Sequence, residues 1–263
     1  MFAYCNFCEN SKDSWKIDDE SVRYFVSDKH GGSSRSPYEE LNMGMNVGDC
    51  VDDVLYNRLL IARHSGLPLN RYVYASQVHG NNITTVSESD LSEDSYSVIK
   101  ATDGLITRDK YIALIVLAAD CVPVIIYDEN IGAAGVFHAG WRGVANSIVP
   151  LGIEQMHKEF GSQIESLKVF IGPSIGACCY EVKGKVIDQI QSAVPNSDKV
   201  VLRKDGKTFI NLKTGIEQQL LKLGLTNSQI TTSSDCTKCK SDQYYSYRHS
   251  SETGRFCAGI YLT

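Results

Sequence analysis

Apolar residues in this chain fall mainly in short continuous runs separated by polar or glycine-bearing turns. Residues 22–27 predict a first strand, and residues 104–107, 112–118, 122–127 and 132–137 predict four more. The middle runs are nearly unbroken by polar positions, which predicts strands buried on both faces. Val54, Leu55, Leu59 and Ile61 have helical spacing, predicting a helix over 52–64 with Asp52 or Asp53 placed to cap it. Further helices are predicted near 144–160, 182–194 and 212–223, and further strands at 167–171, 229–232 and 256–262. Gly31, Gly32, Ser33, Ser34 and Ser36 predict a mobile loop, and the polar, acidic segment 87–97 a surface loop. Strands and helices mix without strict alternation. The expected class is α+β, with mixed β-sheets packed together and helices outside, rather than a doubly wound sheet. Without repeats or a long linker, residues 22–263 read as one catalytic domain behind an N-terminal extension, 1–21.

A chain of 263 residues can bury a full core without disulfide staples. Its net charge of -5 and lack of any Lys/Arg run argue against nucleic acid as a partner, while leaving a small anion open. Asp120 and Pro123 interrupt the longest apolar stretch, 111–127, so no membrane span is expected. The nine cysteines are odd in number and unevenly placed, with Cys178 and Cys179 adjacent. Residues 1–10 lack a basic head followed by an apolar run. A reducing cytoplasm is the expected compartment, with thiols free or on metal.

Three segments carry the chemistry. Gln77-Val78-His79-Gly80, Ala119-Asp120-Cys121 and His138 within Gly135–Gly143 each place a metal ligand, or a nucleophile–base element, beside an apolar strand. Two histidines and one cysteine are one ligand short of a closed tetrahedral zinc site, and an open position suits a catalytic ion. Spacing alone does not bring the three together. An Asp inside an apolar run needs partners, so Asp120 either faces a polar cavity or is buried against donors. A regular strand would send Asp120 and Cys121 to opposite faces; a kink before Pro123 could turn both to one site. His138 is read as following a strand that ends at Phe137. The glycines around it allow a sharp turn into a helix whose free N–H groups, with Arg142, would form an anion cradle for phosphate. The Asn42–Asp49 loop and the Tyr244–Arg248 and Thr253–Arg255 segments read as site walls, whose flat rings suit a purine or phenol. The same rings fit a partly exposed aromatic strand equally well. Cys5-x-x-Cys8 and Cys236-x-x-Cys239 could form a two-knuckle zinc site, but they lie at opposite ends of the chain and read mainly as free thiols.

Taken together, QVHG (77–80), TDGLIT (102–107), ADCVPV (119–124), HAGWRG (138–143), IGPSIGACCYEV (171–182) and the late YSYR and TGR resemble the YfiH family. That family is also called the laccase-domain or multicopper polyphenol oxidoreductase-like family. The resemblance runs in order from about residue 22 to 262. It departs at Thr102, where Ala is common, and at His249, where a second Arg often follows Arg248. It implies a single-domain α+β fold akin to that of toxin deamidases. It also implies a zinc site, with copper as the other candidate, on His79, Cys121 and His138. The implied activity is phosphorolysis of purine nucleosides (adenosine, inosine, methylthioadenosine) with an adenosine deaminase side activity. Catalysis would fall to Cys121, His138 and Asp120, and substrate binding to Asn42, Gln77, Arg142, Ser246 and Arg248. Two other descriptions attach to the family, polyphenol oxidation and peptidoglycan precursor editing. Six histidines leave little from which to build a multicopper cluster. A cysteine amidase, with Cys121 as nucleophile and His138 or His79 as base, is the stronger alternative. Polar groups on buried strands argue against a simple binding module.

Overall fold

A computed structural model of the chain describes residues 20–263. Cys5 and Cys8 therefore lie outside the described residues. Elements are numbered in chain order. Two sheets pack face to face, and the Ala119–Cys121 segment lies where the chain passes between them.

The first sheet has the order β1 (Val22–Val26), β14 (Phe256–Leu262), β6 (Ala113–Ala118), β2 (Tyr72–Ser76), β4 (Ser97–Lys100). The second runs β13 (Ile230–Thr232), β9 (Leu167–Ile171), β7 (Val122–Asp128), β8 (Ala133–Ala139), β5 (Gly104–Thr107), β3 (Ile83–Thr85). Both mix parallel and antiparallel pairs: β2 runs parallel to β4 and β6, while β7 is antiparallel to β8 and β9. Side-chain parity assigns the layers. Leu114, Val116, Ala258 and Ile260 from the first sheet meet Ile125, Tyr127, Ala134 and Val136 from the second in one buried layer. The opposite parity of the first sheet, including Tyr72, Tyr74, Ile115 and Tyr261, is covered by α1 (Val51–Ser65). The opposite parity of the second, including Val124, Ile126 and Phe137, is covered by α2 (Trp141–Ala145), α3 (Ile148–Phe160) and α5 (Leu212–Lys222). Helix, sheet, sheet and helix thus stack as four layers, the expected α+β arrangement. Every residue of β7, β8 and β14 is buried, as their largely apolar sequences require; Asp128 and His138 are the charged or titratable exceptions. A small third sheet, β10 (Glu181–Val182), β12 (Lys207–Ile210), β11 (Val201–Lys204), lies near α4 (Lys185–Ala193).

Several local expectations change. α1 starts at Val51 behind Cys50, so Asp52 and Asp53 sit in its first turn and favour the helix dipole rather than capping it. Its buried face includes Asn57 and Arg58 as well as Val54 and Ile61. The loop expected to be mobile is tied down: Ser33 N–H donates to Asn57 Oδ1 (2.8 Å), and Asn57 Nδ2 donates to Ser34 Oγ (2.9 Å). The helix expected over 144–160 is two helices, because Ser147 takes a left-handed φ of 56° between α2 and α3. Strand β8 continues through His138 to Ala139. Segment 87–97 contains a 3-10 turn at Glu88–Asp90 and ends where β4 begins.

The Phe137 ring holds α3 to β8 by lying against three glycines. A Cβ on Gly104, Gly135 or Gly152 would come within 2.7, 2.9 or 2.2 Å of it. Gly152→Ala should therefore push α3 off the sheet and destabilise the chain by about 1–3 kcal/mol, the usual cost of overpacking. Urea unfolding checks this, and an unchanged midpoint would show that the ring has room to move.

Candidate active site and metal centre

β6 belongs to one sheet and β7 to the other, and the chain crosses between them through Ala119, Asp120 and Cys121. Asp120 makes the crossing with a φ of 95°, an unusual conformation for a non-glycine residue. This is the kink expected before Pro123, and it lets both Asp120 and Cys121 line one cavity. His138 pairs with Pro123 in the β7–β8 ladder and shares the parity of Ala134 and Val136, so it points between the sheets. His79 follows the end of β2 with a left-handed φ of 58°. The ligand atoms of His79, Cys121 and His138 lie within 4.8 Å of one another. The imidazoles of His79 and His138 meet edge to face, with centroids 4.8 Å apart. Gly140 leaves space for the cluster: a Cβ there would sit 3.1 Å from Cys121 Sγ and 3.5 Å from His79 Cδ2.

A residue given no role by the sequence reading organises this cluster. Asp103 is fully buried just before β5. Its Oδ1 lies 2.9 Å from His138 Nδ1. Its carboxylate also accepts backbone N–H groups from Val78 (3.1 Å), His79 (2.9 Å) and Gly80 (2.8 Å). One carboxylate thus binds the turn carrying His79 and orients the ring of His138. Burial alone would raise its pKa, but the bonds from His138, Gly80 and Val78 hold it below the ordinary carboxylate range. The only sequence signal was an acidic residue immediately before an apolar strand, within TDGLIT.

Charge on the cluster follows from the same contacts. Burial would push the Cys121 thiol up, but the His138 charge and hydrogen bonds from His138 and His79 bring it down to about 6. Burial would lower His138, but the Cys121 thiolate and the Asp103 bond raise it to about 9. The metal-free pair is therefore a thiolate–imidazolium. Two imidazoles and one thiolate fit a borderline-soft divalent ion with one position left open, and the Asp103–His138 bond is the usual outer support of a metal-bound histidine. The same atoms also fit a nucleophile, base and orienting acid.

The cluster opens into a cavity of about 790 Å³. Arg142, Arg248 and Arg255 line it, as do the rings of Trp141, Tyr180 and Tyr247. Arg142 stacks on Trp141 (4.5 Å) and Arg248 on Tyr180 (4.8 Å). Arg142 was expected to draw on a helix start, but α2 is a single short turn and adds little dipole. The cationic character comes from arginine side chains rather than from a helix dipole. Gly44–Val47 supply the wall expected of the Asn42–Asp49 loop.

Four substrate or catalytic assignments change. Asn42 is wholly buried behind that wall, donating to Gly44 O (3.2 Å) and Asp49 Oδ2 (2.8 Å) and accepting from Arg255 N–H (2.8 Å). Ser246 is buried too, and its Oγ accepts the His249 N–H (3.2 Å) in a turn. Gln77 lines the cavity, but its amide is consumed by Leu117, donating to its carbonyl and accepting its N–H at 2.8 Å each. Asp120 accepts Thr237 Oγ1–H (2.6 Å) and Arg248 N–H (2.7 Å), which makes it a brace for the arginine loop rather than a free acid. Tyr244 and Tyr245 are core residues, leaving Tyr247 as the wall from that run. Missed by sequence reasoning were Arg58 and Tyr74. Arg58 lies over the rings of Tyr74 (3.9 Å) and Tyr96 (4.4 Å). Both line the cavity, and Arg58 Nη1 and the Tyr74 hydroxyl are buried with no hydrogen-bond partner among the described residues. No helix among the described residues is long and apolar enough to cross a membrane.

The multi-copper polyphenol oxidoreductase laccase family model matches residues 23–263. A purine nucleoside phosphorylase from Geobacillus stearothermophilus, YlmD, is 36% identical over 241 residues, 89% of this chain and 88% of the relative. The purine nucleoside phosphorylase YlmD of Bacillus subtilis is 34% identical over 238 residues, 88% of this chain and 85% of the relative. Among solved structures, a Bacillus licheniformis protein described as hypothetical protein YfiH superposes with a TM-score of 0.88 at 34% identity, over 94% of this chain and 98% of that one.

In metal-stripped protein, alkylation of Cys121 should follow its thiolate. Because the pKa is depressed, labelling should be fast above about pH 6 and fall below it. Asp103→Asn should move that midpoint up toward about 8.5, the ordinary thiol value, and weaken metal binding about 10–100-fold. An unmoved midpoint would show that Asp103 does not act through His138.

Proposed function

We propose that this chain, which belongs to the multi-copper polyphenol oxidoreductase laccase or YfiH family, is a zinc-dependent purine nucleoside phosphorylase. One observation carries the reading: the His79–Cys121–His138 cluster opens on the same cavity as four arginines and several aromatic rings. The names of the relatives support the same activity. His79, Cys121 and His138 would hold the zinc, which when bound supplies Lewis-acid charge at its open position. Copper-oxidase chemistry calls for a further histidine cluster, and His30, His64, His157 and His249 belong to neither group of metal-type side chains among the described residues.

Arg142, Arg248 and Arg255 would bind and orient phosphate by charge-assisted hydrogen bonds. Asp120 would hold Arg248 in place through its backbone N–H, and Tyr180 would hold its guanidinium. The rings of Trp141, Tyr180 and Tyr247 suit the flat base and shed water from it. Arg58 Nη1 and the Tyr74 hydroxyl offer unspent hydrogen-bonding groups to the nucleoside's polar edge. In phosphorolysis a phosphate oxygen forms the bond to the ribose anomeric carbon while the bond to the purine nitrogen breaks. The bonding pair leaves with the base, and the phosphate's proton ends on it. The deaminase side activity needs a proton-carrying acid beside the cluster. Asp103 and Asp120 are both engaged by several donors, so this geometry favours phosphorolysis.

A second reading rests on the Cys121–His138–Asp103 relay, which in the metal-free chain has the parts of a cysteine hydrolase. A thiol probe separates the two. Zinc-loaded protein with Cys121 protected supports the phosphorylase, and rapid labelling of Cys121 in loaded protein supports the hydrolase.

Inosine incubated with the protein should give hypoxanthine and ribose 1-phosphate only when phosphate is present. No phosphate-dependent product would remove the phosphorylase reading. Arg142→Ala should raise the KM for phosphate about 10–100-fold, matching a lost charged hydrogen bond. The KM for nucleoside should change far less; equal losses would count against an anion role.

A further inference from the structure

We propose that Cys178, Cys179, Cys236 and Cys239 form a second, closed zinc site that is structural and separate from the His79–Cys121–His138 cluster. Their sulfur atoms all lie within 4.8 Å of one another. The Cys239 sulfur is 3.6 Å from that of Cys178 and 3.5 Å from that of Cys179. Tetrahedral zinc with bonds of about 2.3 Å needs sulfurs about 3.8 Å apart, so the cluster has the required size. All four cysteines are free rather than disulfide-bonded, so four thiols stand together as one potential ligand set. A soft tetrathiolate set selects zinc or iron, and the closed set of four leaves no position for substrate.

The surroundings are those of a metal thiolate. Gly176 N–H donates to Cys236 Sγ (3.2 Å), and the Cys239 backbone N–H also bonds that sulfur. Such N–H···S bonds support metal-bound thiolates from outside the ligand shell. Gly176 packs closely against the cluster: a Cβ there would lie 3.2 Å from both Cys178 Sγ and Cys236 Cβ, tighter than most such contacts. The Cys236-x-x-Cys239 turn thus finds its partner in the adjacent pair Cys178-Cys179, about sixty residues upstream.

The location gives the site its purpose. Cys178 and Cys179 lie in the loop after β9, and Cys236 and Cys239 in the loop after β13. These loops also supply Ile175, Tyr180, Tyr247 and Arg248 to the cavity wall. They already touch through Thr237 N–H to Ser174 O (3.1 Å). Both reach Asp120, Ile175 through its backbone N–H (2.9 Å) and Thr237 through its hydroxyl (2.6 Å). Zinc on the four cysteines would bind the two loops into one wall and hold it against the residue before Cys121. The metal would replace packing that two irregular loops cannot provide.

Metal analysis of the full chain purified under reductant tests this without any activity assay. Wild type should carry about two zinc equivalents, and Cys121→Ala and the double variant Cys178→Ser/Cys239→Ser about one each. The double variant should also melt several degrees lower. Should it fail to fold, cobalt in place of zinc in Cys121→Ala protein decides the matter: tetrathiolate cobalt bands support the site. Absence of those bands overturns it. So does iron in place of zinc, a disulfide among the four cysteines under reductant, or a double variant with wild-type zinc. Because only the four-cysteine cluster is read in Cys121→Ala, the result does not depend on which reaction the catalytic cavity performs.

Discussion

The buried Asp103 carboxylate is the constraint on which the His79–Cys121–His138 cluster depends. It would be costly to bury alone, and it is satisfied by three backbone N–H groups and one imidazole. Those partners come from two different sheets: the turn after β2 in one, and β8 in the other. Satisfying one buried charge therefore brings His79 and His138 together. It also imposes the left-handed turn at His79, a conformation that surrounding bonds must hold. The Cys121 thiolate and the raised His138 follow from that placement rather than from either residue's own sequence neighbours.

Around this point the site divides the labour between layers. The packed sheets supply rigid ligand positions, since β7 and β8 are buried along their whole length. The irregular loops supply the cations and rings that face the cavity. Loops are poor at holding side chains still, and the structure compensates with braces. Asp120 ties Arg248 and Thr237, Asn42 ties the Arg255 backbone, and the four-cysteine cluster joins the wall loops after β9 and β13. Several residues read from the sequence as substrate contacts are instead these braces. Asn42 and Gln77 have polar groups suited to ligands, but their amides are engaged within the chain, and the Ser246 hydroxyl oxygen accepts a backbone N–H in a turn.

Much was legible along the chain. The apolar runs located β5, β9 and β14 almost to the residue, because a strand buried on both faces needs an unbroken apolar sequence. The short strands β3, β4 and β10–β12 were not found, since half or more of each strand's two to four residues are polar or charged, which leaves no apolar run to register. The division of the helix at Ser147 left no sequence mark, as Ser is tolerated within helices and only local geometry shows its positive φ. The cluster of His79, Cys121 and His138 was nameable because its residue types are uncommon beside apolar strands. Asp103 was not, because an acidic residue before a strand is ordinary until its burial is known.

The sequence by itself determined the α+β class, the buried central strands, the three metal-type side chains and the family to which the chain belongs. Each of these depends on residue type and short-range order, which are written along the chain. The tertiary structure alone decided that Asp103 joins two of those side chains and that Asp120 turns Cys121 into the cavity. It also decided that the Cys236-x-x-Cys239 turn meets an adjacent cysteine pair about sixty residues away. The physical reason is common to all three. Buried charge and sulfur must find partners across space, and the two packed sheets set which partners are within reach.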